Sequence, residues 1–252
     1  MNPYSLQDKS IVVFGASSGI GQATAQFLST LGANIILTGR SKDKLNDTLQ
    51  NMENKKNHVV RTLDLQVPDQ VKGWLKEVVQ ETGVKLDGMV YSAGIHYFTP
   101  LRSINYDHMQ QMLNVNINSI IQLLGSFSNR NISNDNSSVV LLSSVSAIAG
   151  EKGTVGYSAA KGAMNSIVKS AAVELAQRQI RVNSILPGIV ETDMSRKIQT
   201  SLGEESFKQV ENKHLLGIGK PEDIAFCIGY LLAPASRWVT GTNIVIDGGY
   251  TL

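Results

Sequence analysis

The chain has 252 residues, 42% of them hydrophobic and only 17% charged, with 23 Lys and Arg against 21 Asp and Glu for a formal charge of +2. That balance argues against disorder and gives no pull toward nucleic acid or an acidic membrane, while the single cysteine, Cys227, excludes an internal disulfide and a Cys-cluster zinc site. No apolar run approaches the ~18 residues of a membrane span and Met1 to Lys9 hold no signal-peptide core, so a soluble cytoplasmic protein is expected.

Residues 11–14 form a buried-strand run. Ile20, Ala23, Phe27, Leu28 and Leu31 then recur at helical spacing up to Gly32, a helix-ending glycine. Residues 35–37 read as the second strand, 44–52 as a polar-faced helix, and Val59 and Val60 as the head of a third strand ending near Asp64. A helix follows at 71–81, a fourth strand at 89–91 and one long helix at 109–127. Residues 128–138 are rich in Asn and Ser and read as a loop before a fifth strand at 139–142. A second long helix covers 157–177, a sixth strand 182–186, a helix 224–232 and a seventh strand 243–246. Apolar strands alternating with helices predict right-handed βαβ units and a parallel sheet covered on both faces. The expected architecture is therefore α/β: a single-domain Rossmann fold over 1–252, doubly wound on a seven-stranded parallel sheet.

Gly15-Ala16-Ser17-Ser18-Gly19-Ile20-Gly21 follows the first strand and opens the first helix. Glycines let the backbone turn tightly, and a helix start offers unpaired N–H groups and positive dipole charge to a pyrophosphate. An ordinary tight turn is the alternative reading. A carboxylate at the end of the second strand, about twenty residues further on, would bind a ribose 2′-hydroxyl. Gly39 stands there and Arg40 follows, which removes repulsion of a 2′-phosphate and adds a bidentate cation. NADP(H) is thus expected over NAD(H), unless Arg40 is only a solvated charge. Asp64, after the third strand, is expected to take the adenine amine.

Tyr157 and Lys161 stand at i and i+4 on one helix face. An ammonium near a phenol favours the phenolate and lowers its pKa toward useful acid–base chemistry. Ser144 closes the fifth strand thirteen positions earlier (157 − 144 = 13), where ligands bind in open α/β sheets.

At these residues the chain resembles the short-chain dehydrogenase/reductase family over essentially its whole length, and is generally similar to its 3-oxoacyl-(acyl-carrier-protein) reductases. Gly15/Gly19/Gly21, Asn114-Val115-Asn116, Leu142-Ser143-Ser144 with Tyr157 and Lys161, and Pro187-Gly188 carry the resemblance, together with 219–225 and 239–249. It implies a carbonyl/secondary-alcohol oxidoreductase in which Tyr157 is the acid/base, Ser144 orients the substrate oxygen and Lys161 holds the nicotinamide ribose. Asn116 would expose a carbonyl in a proton relay to Lys161; a plain polar residue at a helix bend is the alternative. Val190 and Thr192 would meet the nicotinamide end, and Leu65, Ala93, Gly94, Pro187 and Gly188 would complete the cofactor contacts. The chain departs from the family pattern at two places. Phe14 replaces a usual threonine and Tyr91-Ser92 replaces Asn-Asn, which predicts altered stability more than lost catalysis.

His96, Ser146 and Met194 are expected at the substrate, with Tyr97, Phe98, Ala147 and Ile148 nearby, although His96 also reads as a plain loop histidine. A mobile lid of mixed charge is expected at about 193–215. His58, His108 and His214 share no metal-ligand spacing, so no catalytic metal is predicted. Small and apolar residues on the long helices, Ala159, Ala160, Ala163, Ala171 and Ala172, suggest a homo-oligomer, and the family implies a tetramer or dimer. Two other functions fit the same features: an NAD-dependent sugar or alcohol dehydrogenase, and a catalytically silent nucleotide-binding regulator.

Overall fold

A computed structural model describes residues 2–252. Among them, seven parallel strands form one sheet: β1 Ser10–Phe14, β2 Asn34–Gly39, β3 Val59–Thr62, β4 Leu86–Tyr91, β5 Ser133–Leu142, β6 Arg181–Pro187 and β7 Asn243–Ile246. Their spatial order is β3-β2-β1-β4-β5-β6-β7. All five residues of β1 are buried, and their side chains alternate between two separate cores. Val12 and Phe14 join Met89, Tyr91, Val139 and Leu141 on one face; Ile11 and Val13 join Val90 and Val140 on the other.

Helices cover both faces, as the apolar strands require. On the Val12 face lie α3 Pro68–Val71, α4 Trp74–Thr82, α5 Tyr106–Leu113, α6 Ser119–Phe127 and α7 Val155–Leu175. The Val13 face carries α1 Gly19–Thr30, α2 Lys42–Gln50 and α10 Pro221–Leu232. Between β6 and α10 come α8 Asp193–Leu202 and α9 Glu204–Glu211, on the segment expected to form the lid.

Three local readings are corrected. The helix expected at 71–81 is two helices, because Gly73 takes a φ of +86° and separates α3 from α4. The loop expected at 128–138 enters the sheet from Ser133. Its polar residues are absorbed by a register shift, Leu86 pairing Ser133 and Gly88 pairing Ser138, with Asn136 at φ +63° between. The long helix at 109–127 is one helical run, α5 to α6, but residues Asn114–Asn118 are wound as a π-turn.

Candidate active site

The strand order reverses between β1 and β4, so the chain leaving each strand diverges and opens a crevice at their carboxyl ends. The glycine turn fills one wall. Gly15 has φ +84°, and a Cβ there would stand 2.8 Å from the backbone nitrogen of Ala93. A Cβ on Gly21 would stand 2.2 Å from the Gly15 carbonyl oxygen, so this glycine seats α1 against the turn. The start of α1 has neither a side-chain cap from Ser18 nor an acid in its first turn. This cradle suits a diphosphate. Further out, Gly39 is close enough to Ser17 that a Cβ would lie 3.2 Å from its hydroxyl, and Arg40 is exposed with no ion pair among the described residues. The Thr38 hydroxyl is buried there without a partner. An unsatisfied hydroxyl, a capless helix start and an unpaired guanidinium together fit an anionic dinucleotide. Asp64 Oδ1 accepts from the Gln66 N–H at 3.0 Å, while Val67 is the N-cap of α3, so Asp64 caps no helix.

At the end of β5, Ser143 Oγ donates to the Lys161 carbonyl, and Lys161 Nζ donates to the Leu142 carbonyl at 2.6 Å. The start of α7 is thereby fastened to the strand. Ser144 Oγ accepts from the Ser146 N–H at 3.1 Å. Lys161 Nζ lies 5.7 Å from the Tyr157 ring centroid. Burial pushes the Tyr157 phenol up to about 12, opposed by a hydrogen bond with Ser144, and pushes Lys161 down to about 7. The expectation that Lys161 lowers the phenol is therefore not met in this geometry. The ammonium is turned to a backbone carbonyl, and its own desolvation weakens its charge near neutrality.

Asn116 is fully buried inside the π-turn. Its Nδ2 donates to the Ile95 carbonyl at 2.9 Å, and its Oδ1 accepts from the Ile95 N–H at 3.1 Å. The side chain thus splints the loop after β4. A Cβ on Gly94 would meet Asn116 Oδ1 at 3.2 Å and Lys161 Nζ at 3.7 Å, so glycine lets these groups converge.

Beyond the tyrosine, the His96 ring stands edge-on to Tyr157 with centroids 4.5 Å apart. Burial first, then the Lys161 charge, lowers His96 to about 4, so it stays neutral at ordinary pH. Glu151 accepts from Lys213 Nζ at 2.7 Å and from the Tyr250 hydroxyl, joining the segment before α7, the chain after α9 and the tail after β7. His214 Nε2 accepts from the Ile189 N–H at 3.0 Å, leaving Nδ1 to donate to the Val210 carbonyl at 2.9 Å. That anchors the far end of α9 to the chain leaving β6.

One cavity of about 830 Å³ gathers Gly15, Ser17, Ser18, Gly19, Ile20, Arg40, Asp64, Leu65, Ala93, Gly94, His96, Ser144, Ser146, Tyr157, Lys161, Pro187, Gly188, Val190, Thr192 and Met194. Gly21 and Asn116 do not line it; they shape it from behind. Thr192 also caps α8, its hydroxyl accepting from the Ser195 N–H at 3.3 Å. Sequence reasoning did not single out Glu151 or Tyr250 for the site. They lie 99 positions apart and share no spacing or periodicity, so only the folded chain brings them together. Among the described residues, no group of three His, Cys, Asp or Glu is arranged to hold a metal ion, and no helix is long and apolar enough to cross a membrane.

A family model described as enoyl-(acyl carrier protein) reductase matches residues 15–251. The chain is 33% identical over 248 residues to the 3-oxoacyl-(acyl-carrier-protein) reductase of Thermotoga maritima, covering 98% of this chain and 99% of the relative. It superposes on a short-chain dehydrogenase/reductase, glucose/ribitol dehydrogenase, from Brucella melitensis with TM-score 0.89, 28% identity and full coverage of both chains. A blue fluorescent protein from a metagenomic library, solved with NADPH, matches with TM-score 0.88 and 28% identity over 98% of this chain and all of that one.

Proposed function

The chain belongs to the short-chain dehydrogenase/reductase family, and from that premise we propose that it is an NADP(H)-dependent oxidoreductase interconverting a carbonyl and a secondary alcohol. The observation that carries this reading is the convergence of Ser144, Tyr157 and Lys161 with the glycine turn on one cavity. Gly15, Ser17, Ser18, Gly19 and Ile20 would hold the diphosphate, Ser17 and Arg40 the 2′-phosphate, and Asp64 and Leu65 the adenine. Ala93, Gly94, Pro187, Gly188, Val190 and Thr192 would line the nicotinamide half. When bound, the nicotinamide supplies or accepts the hydride. Tyr157 gives its phenolic proton to the substrate oxygen in reduction and recovers it in oxidation. Ser144 hydrogen-bonds that oxygen and orients it. Lys161, fixed on the Leu142 carbonyl, receives or returns the proton behind the phenol, and its lowered pKa suits both tasks near neutral pH. His96, Ser146 and Met194 would contact the substrate, under a lid formed by about 193–215.

The test is turnover of NADPH with a panel of ketones and 3-oxoacyl thioesters, run beside Tyr157→Phe. Wild-type turnover on one of them, lost by at least about a hundredfold in the variant with NADPH binding retained, supports the reading. Residual turnover close to wild type sinks the role of Tyr157, and a wild-type protein that binds NADPH without turning over any probe would favour a silent nucleotide-binding regulator. A sugar dehydrogenase is the second reading, favoured by the polar wall of Glu151, Ser206, Gln209 and Lys213. Tighter binding of NADH than NADPH, with turnover of a free sugar, would select it.

The family reading also includes a homo-oligomer, dimer or tetramer, working in the cytoplasm. Trp238 is 90% and Val173 81% exposed, alongside exposed Phe226 and Ile121, large apolar side chains that assembly could cover. A light-scattering mass of a single chain at micromolar concentration would refute assembly.

A further inference from the structure

Tyr91 is fully buried at the end of β4, and its hydroxyl reaches out of the sheet to the helix beyond. It donates to the Val115 carbonyl at 2.5 Å and lies 2.6 Å from Ser119 Oγ, which also bonds the Val115 carbonyl at 2.7 Å. Burial pushes the phenol well above its ordinary value, so the group keeps its proton and serves as a donor. Val115 lies one residue into the π-turn. There the Ser119 N–H bonds the Asn114 carbonyl, five residues back, and is therefore not given to Val115 as it would be in an α-helix. Two hydroxyls, one from the sheet and one from the helix, bond the carbonyl that the wide winding releases.

The next residue is Asn116. Its side chain grips both backbone groups of Ile95, and Ile95 follows Gly94, the glycine that both Asn116 Oδ1 and Lys161 Nζ approach. A set of bonds therefore runs from the Tyr91 hydroxyl through the π-turn to the Ile95 backbone, next to the glycine that Lys161 Nζ approaches. The ring end is held just as firmly. Phe14 packs against it in a tilted pair, 5.7 Å between centroids, and Trp74 lies 5.5 Å from Phe14. A ring wedged this way cannot swing, so its hydroxyl is a fixed point against which the helix backbone is set.

We propose that Tyr91 is a positioning residue for the reaction: with Ser119 it holds the Val115 carbonyl, fixing the π-turn that carries Asn116 and, through Asn116, the Gly94–Ile95 backbone that Lys161 approaches. This rests on the function proposed above, in which Lys161 and Tyr157 exchange the proton.

The variant that isolates the hydroxyl is Tyr91→Phe, since it keeps the ring. Amide hydrogen exchange on the protein alone should quicken at least about tenfold in segments 93–97 and 114–119 while β1 and β6 keep wild-type protection. With NADPH and acetoacetyl-CoA as the probe 3-oxoacyl thioester, kcat should fall about tenfold with the pH limb of kcat displaced, and NADPH affinity should stay within about twofold. Wild-type exchange in both segments with an unmoved pH profile overturns the proposal. So does exchange quickened evenly across the sheet with kcat intact, which would make the bond merely cohesive. If Tyr91→Phe does not fold, Ser119→Ala decides by the same readouts, displacement supporting and wild-type behaviour overturning. Tyr157→Phe run in parallel separates the two readings. If it is inactive while Tyr91→Phe behaves as wild type, only the present inference falls. If it stays active, the proton-transfer reading falls, and the exchange data alone judge whether Tyr91 holds the turn.

Discussion

Phe14 and Tyr91 are register partners across β1 and β4, and their rings pack at 5.7 Å between centroids. Each is a departure from the family pattern, and read along the chain they are separate anomalies. In the fold they are one contact. Phe14 gives up a small hydroxyl near the glycine turn; Tyr91 brings a hydroxyl of its own to Val115 and offers Phe14 an aromatic face. The pair should therefore couple. In a double-mutant cycle of Phe14→Leu and Tyr91→Leu, read from urea midpoints, a coupling energy of about 0.5–1.5 kcal/mol is expected. Strict additivity would mean that the two rings are only neighbours.

Arg40 is exposed and, among the described residues, makes no ion pair, so removing it should cost the fold nothing measurable. Arg40→Ala should weaken NADPH binding about tenfold or more and leave NADH within about twofold, measured by fluorescence titration. Gly39→Asp should weaken NADPH further by like-charge repulsion, its new side chain standing against Ser17. Equal losses for both nucleotides would strip Arg40 of its role in choosing between them.

Lys161 is lowered by burial from 10.5 to about 7. At low pH the folded and unfolded chains both hold the proton, and the cost of burying the charge is borne in full. Between about pH 7 and 10.5 the unfolded chain holds more protons than the folded one, so stability from this group rises with pH and is lost as pH falls through about 7. Lys161→Met removes the titration. Its melting temperature should exceed that of wild type most at pH 6 and least at pH 9.5, on protein without added nucleotide. Parallel curves would show that the amine is not desolvated.

Glu151 joins the segment proposed as the lid, at Lys213, to the tail, at Tyr250. Burial alone would raise its carboxyl, but hydrogen bonds from Lys213 and Tyr250 outweigh it and the net shift is downward. The contact therefore holds at neutral pH and is lost only as pH falls through that lowered value. Lys213 is half-exposed, so the ion pair itself contributes little, about 0–1 kcal/mol. Glu151→Ala should shift the melting temperature by no more than about 4 °C. Faster proteolytic cleavage near Gly203 and a raised KM for the probe thioester at unchanged kcat are the expected signs of a loosened lid. An unchanged KM and cleavage pattern would show that Glu151 does not hold it.

The sheet was legible because its strands are apolar runs closed by chemically distinctive residues, and those strand ends are where the cavity lies. Gly15, Ser144 and Tyr157 could be placed from local order alone. Other features carry no local mark. The polar start of β5 reads as loop because Asn134, Asp135 and Asn136 are tolerated through a register shift made by a different strand. Gly73 stands inside a helical pattern whose break depends on a positive φ. The downward pull of Lys161 on Tyr157 was expected from spacing, but spacing does not say which oxygen the ammonium faces, and here it is the Leu142 carbonyl.

The π-turn at Asn114–Asn118 also sets the angular bookkeeping of its helix. One extra residue in a turn offsets everything downstream by about 100° relative to uniform α winding. Met112 before the turn and Ile120, Leu123 and Phe127 after it are all buried, so the two halves need that offset to be buried together. Winding these same residues as an even α-helix would rotate one half out of phase and expose either Met112 or the α6 face; deleting one residue from 114–118 would remove the extra residue and the wide turn together and leave the two faces aligned. The wide turn thus lets this stretch house one residue more than an even helix would while keeping a single buried face, and that residue's carbonyl is the one the sheet can reach.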